Sequence, residues 1–301
     1  MNMQKEKLIG HGAAVVTIVI WGLTFISTKI LLTVLQPVEI LLFRFVMGYL
    51  ALTAVCPHRM KNTTKKHELT FMAAGLTGVC MYYLLENIAL TYTLAANVGV
   101  IIAVAPCFTA IVMRLVFKNR ERINVNFFVG FLIAIVGICM ISFRGAGMQV
   151  NPFGDFLAVS AAFVWAFYAG FTKIIGEYGY GTVQYTRKIF GYGILFMIPM
   201  AFLFGFRLDF HWLMNPVCVF NMMFLGFGAS AFCFVSWNYA VKTIGATKTS
   251  VYIYLDPVIT VVTSALILRE EITAMAAVGT LLTMAGLVVS EWKWKKQGVN
   301  A

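Results

Sequence analysis

The stretch Glu86–Pro106, ENIALTYTLAANVGVIIAVAP, decides the fold because it occurs twice. Its copy is Trp237–Pro257, WNYAVKTIGATKTSVYIYLDP. Asn87 aligns with Asn238, Ala89 with Ala240, Ala95 with Ala246 and Pro106 with Pro257, each pair 151 residues apart and without a gap. The matches continue outward. Trp21, Thr28 and Lys29 align with Trp165, Thr172 and Lys173 at a spacing of 144, and Arg44 and Gly48 with Arg187 and Gly191 at 143. Glu121, Gly130 and Gly137 align with Glu270, Gly279 and Gly286 at 149. The spacing changes only between candidate helices, as differences in loop length produce. Two copies of one unit, 1–145 and 146–301, therefore set the architecture.

Composition fixes the solvent. Of 301 residues, 60% are hydrophobic and 12% charged, with a mean hydropathy of +0.85. Soluble domains carry about 25% charged residues, so a soluble fold is excluded. Apolar runs of roughly 20 residues, enough to cross a bilayer, follow one another with short connections. The net charge of +11 belongs to loops at one membrane face, where Lys and Arg collect, and does not imply a nucleic-acid partner. The six cysteines are scattered singly, without a CxxC or a pairing with His, and read as small buried apolar residues. The first apolar run, Leu8–Leu32, is too long for a signal peptide and lacks a small-x-small cleavage site.

The pattern predicts an all-α membrane protein of ten transmembrane helices: Leu8–Leu32, Pro37–Cys56, Glu68–Thr91, Leu94–Phe117 and Val125–Phe143, then Phe153–Gly176, Thr182–Phe206, Trp212–Lys242, Ala246–Leu268 and Thr273–Trp292. With the amino terminus inside, fourteen Lys and Arg fall in cytoplasmic segments, against Arg144, Arg207 and Arg269 opposite. Both termini are then cytoplasmic in a multi-pass protein of the plasma (inner) membrane. Five helices per copy is an odd number, so the second copy crosses in the opposite sense. Such inverted repeats around a central cavity are the plan of many secondary transporters.

Several side chains offer chemistry inside the membrane. Thr249, Tyr252, Asp256, Thr260 and Thr263 share one face of an ideal ninth helix, with Asp256 near its middle. A carboxylate at that depth is costly unless it meets water, a cation or a partner. Asp256 is thus a proton- or cation-binding group in a cavity, or else a structural carboxylate. Glu86, with Tyr82 and Tyr83 one turn away, is either a second site acid or a residue at headgroup level. Each acid stands in one copy only: Glu86 aligns with Trp237, and Asp256 with Ala105. Asn87, Asn238, Pro106 and Pro257 are kept in both copies and read as scaffold. Trp21 with Thr24, and Trp165 with Tyr168, lie near mid-helix, away from an interfacial belt; they either pack or line a cavity suited to a ring or an amino group. Of the basic residues within helices, Arg44 is the candidate interior partner of Glu39 or Glu86, while Lys29, Arg114, Lys173, Arg187 and Lys188 snorkel toward headgroups or bind an anion. No HExxH, GxSxG or Walker A pattern occurs. No enzyme activity, metal or cofactor is expected.

Asn87–Ala95, in the form N-x-A-L-x-Y-T-x-A, with Pro106 in the next helix, Trp21-Gly22 in the first, and Glu121 and Glu270 before the fifth helix of each copy, resembles the drug/metabolite transporter superfamily in its ten-helix EamA-like branch. The resemblance implies a permease or exporter of amino acids, metabolites or amphipathic compounds, with a cavity formed by helices 1, 3, 4, 6, 8 and 9. The second copy departs from the signature, since Trp237-Asn238-Tyr239-Ala240 lacks the following Leu and Tyr-Thr. The first helix holds no membrane-embedded acid, so the coupling scheme of the small four-helix relatives does not transfer by position. The expected partners are the bilayer, a small-molecule substrate and protons. An organic-anion or sugar-phosphate-type antiporter and a membrane sensor without transport are the alternatives.

Overall fold

Pro37, Pro152 and Pro216 each begin a helix, where the missing amide N–H costs nothing and the fixed φ favours the turn. The side chains of Asn151 and Asn215 cap two of these helices by accepting from Phe153 N and Gly154 N, and from Val217 N. The computed structural model describes residues 3–58, 60, 63–92, 95–118, 125–142, 151–207, 210–268 and 274–291. Its helices are α1 (Met3–Leu31), α2 (Pro37–Val55), α3 (Lys65–Tyr92), α4 (Ala95–Ile102 and Ala105–Leu115), α5 (Val125–Ser142), α6 (Pro152–Glu177), α7 (Thr182–Leu203), α8 (Pro216–Ile244), α9 (Ala246–Leu268) and α10 (Ala274–Glu291). Among the described residues, α1, α2, α3, α6, α7 and α8 are long and apolar enough to cross a membrane. Large apolar side chains such as Leu50, Leu132, Phe202, Leu266 and Leu281 face outward, while Arg44, Glu86, Asn87, Asn238 and Asp256 are buried. That is the distribution expected where lipid replaces water as the solvent.

Four helices are interrupted, and the interruptions follow the repeat. A π-helical turn spans Gly75–Met81 in α3, and another spans Phe224–Phe232 in α8. α4 breaks at Ala103–Val104 before Pro106, and α9 tightens into a 3₁₀ turn at Tyr252–Leu255 before Pro257. Proline removes a helical hydrogen bond and its ring crowds the preceding turn. The 3₁₀ turn corrects the expectation of one unbroken polar face on the ninth helix. Thr249 and Thr263 bond back to their own helix at Gly245 O and Ile259 O, and the side chain of Thr260 lies outside the described residues. The eighth helix starts at Pro216, not at Trp212, which sits in a separate 3₁₀ turn, His211–Met214. The expected helix ends at Phe143 and Trp292, and the residues Glu121 and Glu270, also lie outside the described residues.

The packing is reciprocal. α1 packs on α8 as α3 packs on α6; α1 on α9 as α4 on α6; and α2 on α8 as α7 on α3. α2 pairs with α7, and α5 pairs with α10. In lipid no hydrophobic force drives helices together, so close backbone approach at small residues must serve. A Cβ on Gly130 would stand 2.5 Å from Gly286 O, and one on Gly137 would stand 2.5 Å from Gly279 O. These two contacts are each other's counterparts in the repeat. α8 and α9 are joined by Gly245 alone, at φ +93°, a conformation other residues rarely adopt.

Candidate functional site

The two interrupted helices α3 and α9 bring their acids to one place. Glu86 lies one turn beyond the π turn of α3, and Asp256 follows the 3₁₀ turn of α9. Both line a cavity with Trp21, Thr24 and Phe25 of α1, Tyr82 and Tyr83 of α3, Ile102 of α4, Trp165 of α6 and Ile253 of α9. Glu86 and Asp256 are both 5% exposed, so Glu86 is enclosed by neighbouring helices rather than left open to solvent. Oε2 of Glu86 and Nε1 of Trp165 are buried without a hydrogen-bond partner among the described residues. Buried polar atoms are normally satisfied, so these two are a ready acceptor and donor for something that enters.

The walls are aromatic. Trp21 and Trp165 meet edge to face with ring centroids 5.4 Å apart, and Tyr82 lies 4.8 Å from Trp165 and 4.8 Å from Tyr83. The indole of Trp21 donates to Ala229 O, in the π turn of α8, at 2.9 Å. The volume left is about 20 Å³, room for a water molecule, whereas small-molecule pockets run to roughly 300–1,000 Å³. As it stands the cavity is too small for a molecule that fills such a pocket.

Of the site residues expected from sequence, Asp256, Glu86, Tyr83, Trp21, Thr24 and Trp165 meet at this cavity. Tyr168, Trp237 and Tyr252 lie outside its lining. Tyr168 donates to Asn238 Oδ1 at 2.8 Å, and Trp237 packs behind Trp21, with centroids 5.0 Å apart. The hydroxyl of Tyr252 meets His11 Nδ1 at 2.7 Å, a contact between α9 and α1. Asn238 donates to Thr186 Oγ1 at 3.0 Å, and Asn87 donates to Pro37 O at 3.3 Å. Each asparagine thus ties the third helix of its half to the second.

Arg44 makes no ion pair with Glu39 or Glu86 among the described residues. Its Nε donates to Ser230 Oγ at 3.0 Å, and its guanidinium stands 4.4 Å from the centre of the Tyr83 ring. Glu39 accepts instead from the backbone of Gln36 and Arg207. Lys173 pairs with Glu177 at 3.3 Å near the end of α6, away from the cavity, and Lys29 donates to Leu90 O at 2.8 Å. All six cysteines are free, and Cys139 is exposed on the outer face of α5 rather than buried. Phe25, Ile102 and Ile253 are lining residues that sequence reasoning passed over. Ile102 and Ile253 stand 151 residues apart, so they are each other's counterparts in the repeat; neither is the counterpart of a polar or aromatic candidate, and an isoleucine in an apolar run carries no signal of its own.

Apolar side chains facing outward around buried polar groups, on helices long enough to span a bilayer, define an α-helical membrane protein. The chain belongs to the EamA-like transporter family, whose profile matches residues 8–143 and again 152–292. It is 28% identical over 289 residues to an "uncharacterized transporter" of Archaeoglobus fulgidus, covering 94% of this chain and 97% of that protein. A "probable terminal-alkyne amino-acid exporter" of Streptantibioticus cattleyicolor is 26% identical over 283 residues, covering 92% of this chain and 91% of that protein. A solved crystal structure covers 96% of each chain at a TM-score of 0.72 and 17% identity, which shows a shared fold. The protein is a multi-pass membrane transporter.

Proposed function

We propose that the protein is a secondary active transporter of the plasma (inner) membrane, a permease or exporter of amino-acid-like or amphipathic organic metabolites, working by alternating access with proton coupling. The observation that carries this is the convergence of Glu86, from the first half, and Asp256, from the second, on one nearly closed aromatic cavity. Carboxyl groups can hold protons or a substrate ammonium, and aromatic faces attract both rings and cations. The double match to one family profile and the reciprocal helix packing support ten spans in two inverted five-helix halves, 1–145 and 146–301, with both termini cytoplasmic. Exchanging the conformations of such halves opens the cavity to the opposite side. The name of the S. cattleyicolor relative, an amino-acid exporter, favours an amino-acid-like substrate.

Purified protein in vesicles under an imposed pH gradient tests this. Uptake of labelled amino acids and amines is expected to follow the gradient, and Asp256→Asn or Glu86→Gln should cut gradient-driven flux at least tenfold while counterflow exchange persists. Undiminished gradient-driven flux in both variants would remove proton coupling. Ligand binding without flux for any substrate would favour the sensor instead.

A further inference from the structure

A second and roomier cleft lies away from the carboxyl cavity. It has a volume of about 400 Å³ and is lined by Tyr49 of α2, Met60 just beyond α2, and Arg187, Lys188, Gly191, Tyr192 and Leu195 of α7. Lys188, Gly191, Tyr192 and Leu195 fall at helical spacings of 3, 4 and 7, so they form one stripe along α7. The cleft starts at the end of α2, where Arg187 donates to Cys56 O and to His58 O. It then runs toward the middle of the bundle, Leu195 standing about 12 Å further along the helix axis than Arg187 at 1.5 Å per residue. One end is therefore cationic and at the level of the helix ends, and the other is apolar and faces the lipid.

Two features say what fits. Lys188 pairs with Glu68, which also accepts from Tyr192, and among the described residues Arg187 bonds backbone oxygens and has no carboxylate partner. Among the described residues these bonds use two of the five guanidinium donors of Arg187 and one of the three ammonium donors of Lys188, so donors remain for an anion. The floor is Gly191, where an added Cβ would meet only Tyr49, at 3.4 Å. Beyond it, Leu195, Ile198 and Phe202 continue as an exposed apolar track. The repeat counterpart of Arg187 is Arg44, which bonds Ser230 and stacks on Tyr83, whereas Arg187 bonds the chain just beyond α2 at the mouth of the cleft, so the two arginines have different surroundings in the two halves.

We propose that this cleft is a binding site for one anionic glycerophospholipid, its phosphate at Arg187 and Lys188 and an acyl chain along Gly191, Leu195 and Ile198. Basic pockets between helices near the membrane surface take such headgroups. A bound lipid wedged between α2 and α7 bridges the two halves of the chain, and so stabilises the pairing that any rocking of the halves must strain.

Native mass spectrometry and thermal unfolding of the full-length protein in mild detergent test the site, with phosphatidylglycerol, phosphatidylcholine and inorganic phosphate as probes. Phosphatidylglycerol is expected to give a retained one-lipid adduct and a raised Tm, and the other two to give neither. Lys188→Gln should weaken the adduct about fivefold. Gly191→Leu, which fills the cleft and leaves every charge in place, should weaken it at least as much. If Gly191→Leu does not fold, Lys188→Gln decides alone. Equal binding of phosphatidylcholine, an equal Tm shift with phosphate alone, or wild-type affinity in the folded variants would each overturn the proposal.

Discussion

The two cavity tryptophans differ in one bond. Trp21 Nε1 is held by Ala229 O, whereas Trp165 Nε1 is buried without a partner among the described residues. Replacing each with Phe removes the same N–H from different situations. Trp21→Phe should cost about 1 kcal/mol of stability through the lost hydrogen bond and the acceptor left behind. Trp165→Phe should cost clearly less, and its main effect should be on substrate affinity. Thermal unfolding and transport KM, measured on both variants, separate the two; an equal loss of stability would mean that Trp165 has an internal partner. The residues legible from sequence were those that repeat, Trp21 and Trp165, and those that conspicuously do not, Glu86 and Asp256. Arg44 is interior as expected, but its partner was not legible, because sequence spacing cannot say that a π turn of α8 carries Ser230 to its Nε.

At the scale of helices, glycine decides how closely backbones approach. A Cβ on Gly78 would fall 2.0 Å from the Tyr168 ring, and one on Gly130 2.5 Å from Gly286 O, while one on Gly12 would meet nothing within 4 Å. Gly130→Ala should therefore cost about 1–3 kcal/mol by overpacking against a backbone that cannot yield. Gly78→Ala should cost a similar amount or displace Tyr168. Gly12→Ala should be neutral or slightly stabilising, since alanine is the better helix former. Unfolding in detergent checks the order, and a destabilised Gly12→Ala alongside an unaffected Gly130→Ala would refute it. The helices themselves were visible as apolar runs bounded by Asn-Pro, Gln-Pro and Gly. Their interruptions were not, because a π turn inserts one residue without changing composition, and an apolar run reads the same on either side of it.

At the scale of the whole molecule, small ties close the cavity. His11 and Tyr252 join α1 to α9 toward the end of the bundle that holds the amino terminus, and Lys29 joins α1 to α3 toward the other end. With about 20 Å³ inside, one set of ties must release before a substrate enters. Tyr252→Phe removes a bond worth about 1 kcal/mol, which shifts an opening equilibrium about fivefold. In a Thr24→Cys background with the six native cysteines replaced, labelling by an impermeant maleimide from the amino-terminal side should accelerate by about that factor in Tyr252→Phe, with no change from the opposite side. Unchanged labelling from the amino-terminal side would mean that this contact is not part of the closure.

By itself the sequence determined the solvent, the repeat, the helix order and the family, because each of these is written in local apolarity and in similarity at a fixed spacing. It also picked out the two acids, through the cost of a carboxyl group in an apolar run. Only the tertiary structure decided that Glu86 and Asp256 face one cavity, that Tyr168 and Trp237 stand behind it, and that Arg44 stacks on Tyr83. Those placements depend on where a helix is interrupted and on which neighbour its next turn then faces. The stretch Glu86–Pro106 and its copy contain both kinds of information: their shared prolines can be aligned from the sequence alone, while the interruptions beside those prolines and the directions taken by the side chains there are set by the helices packed against them.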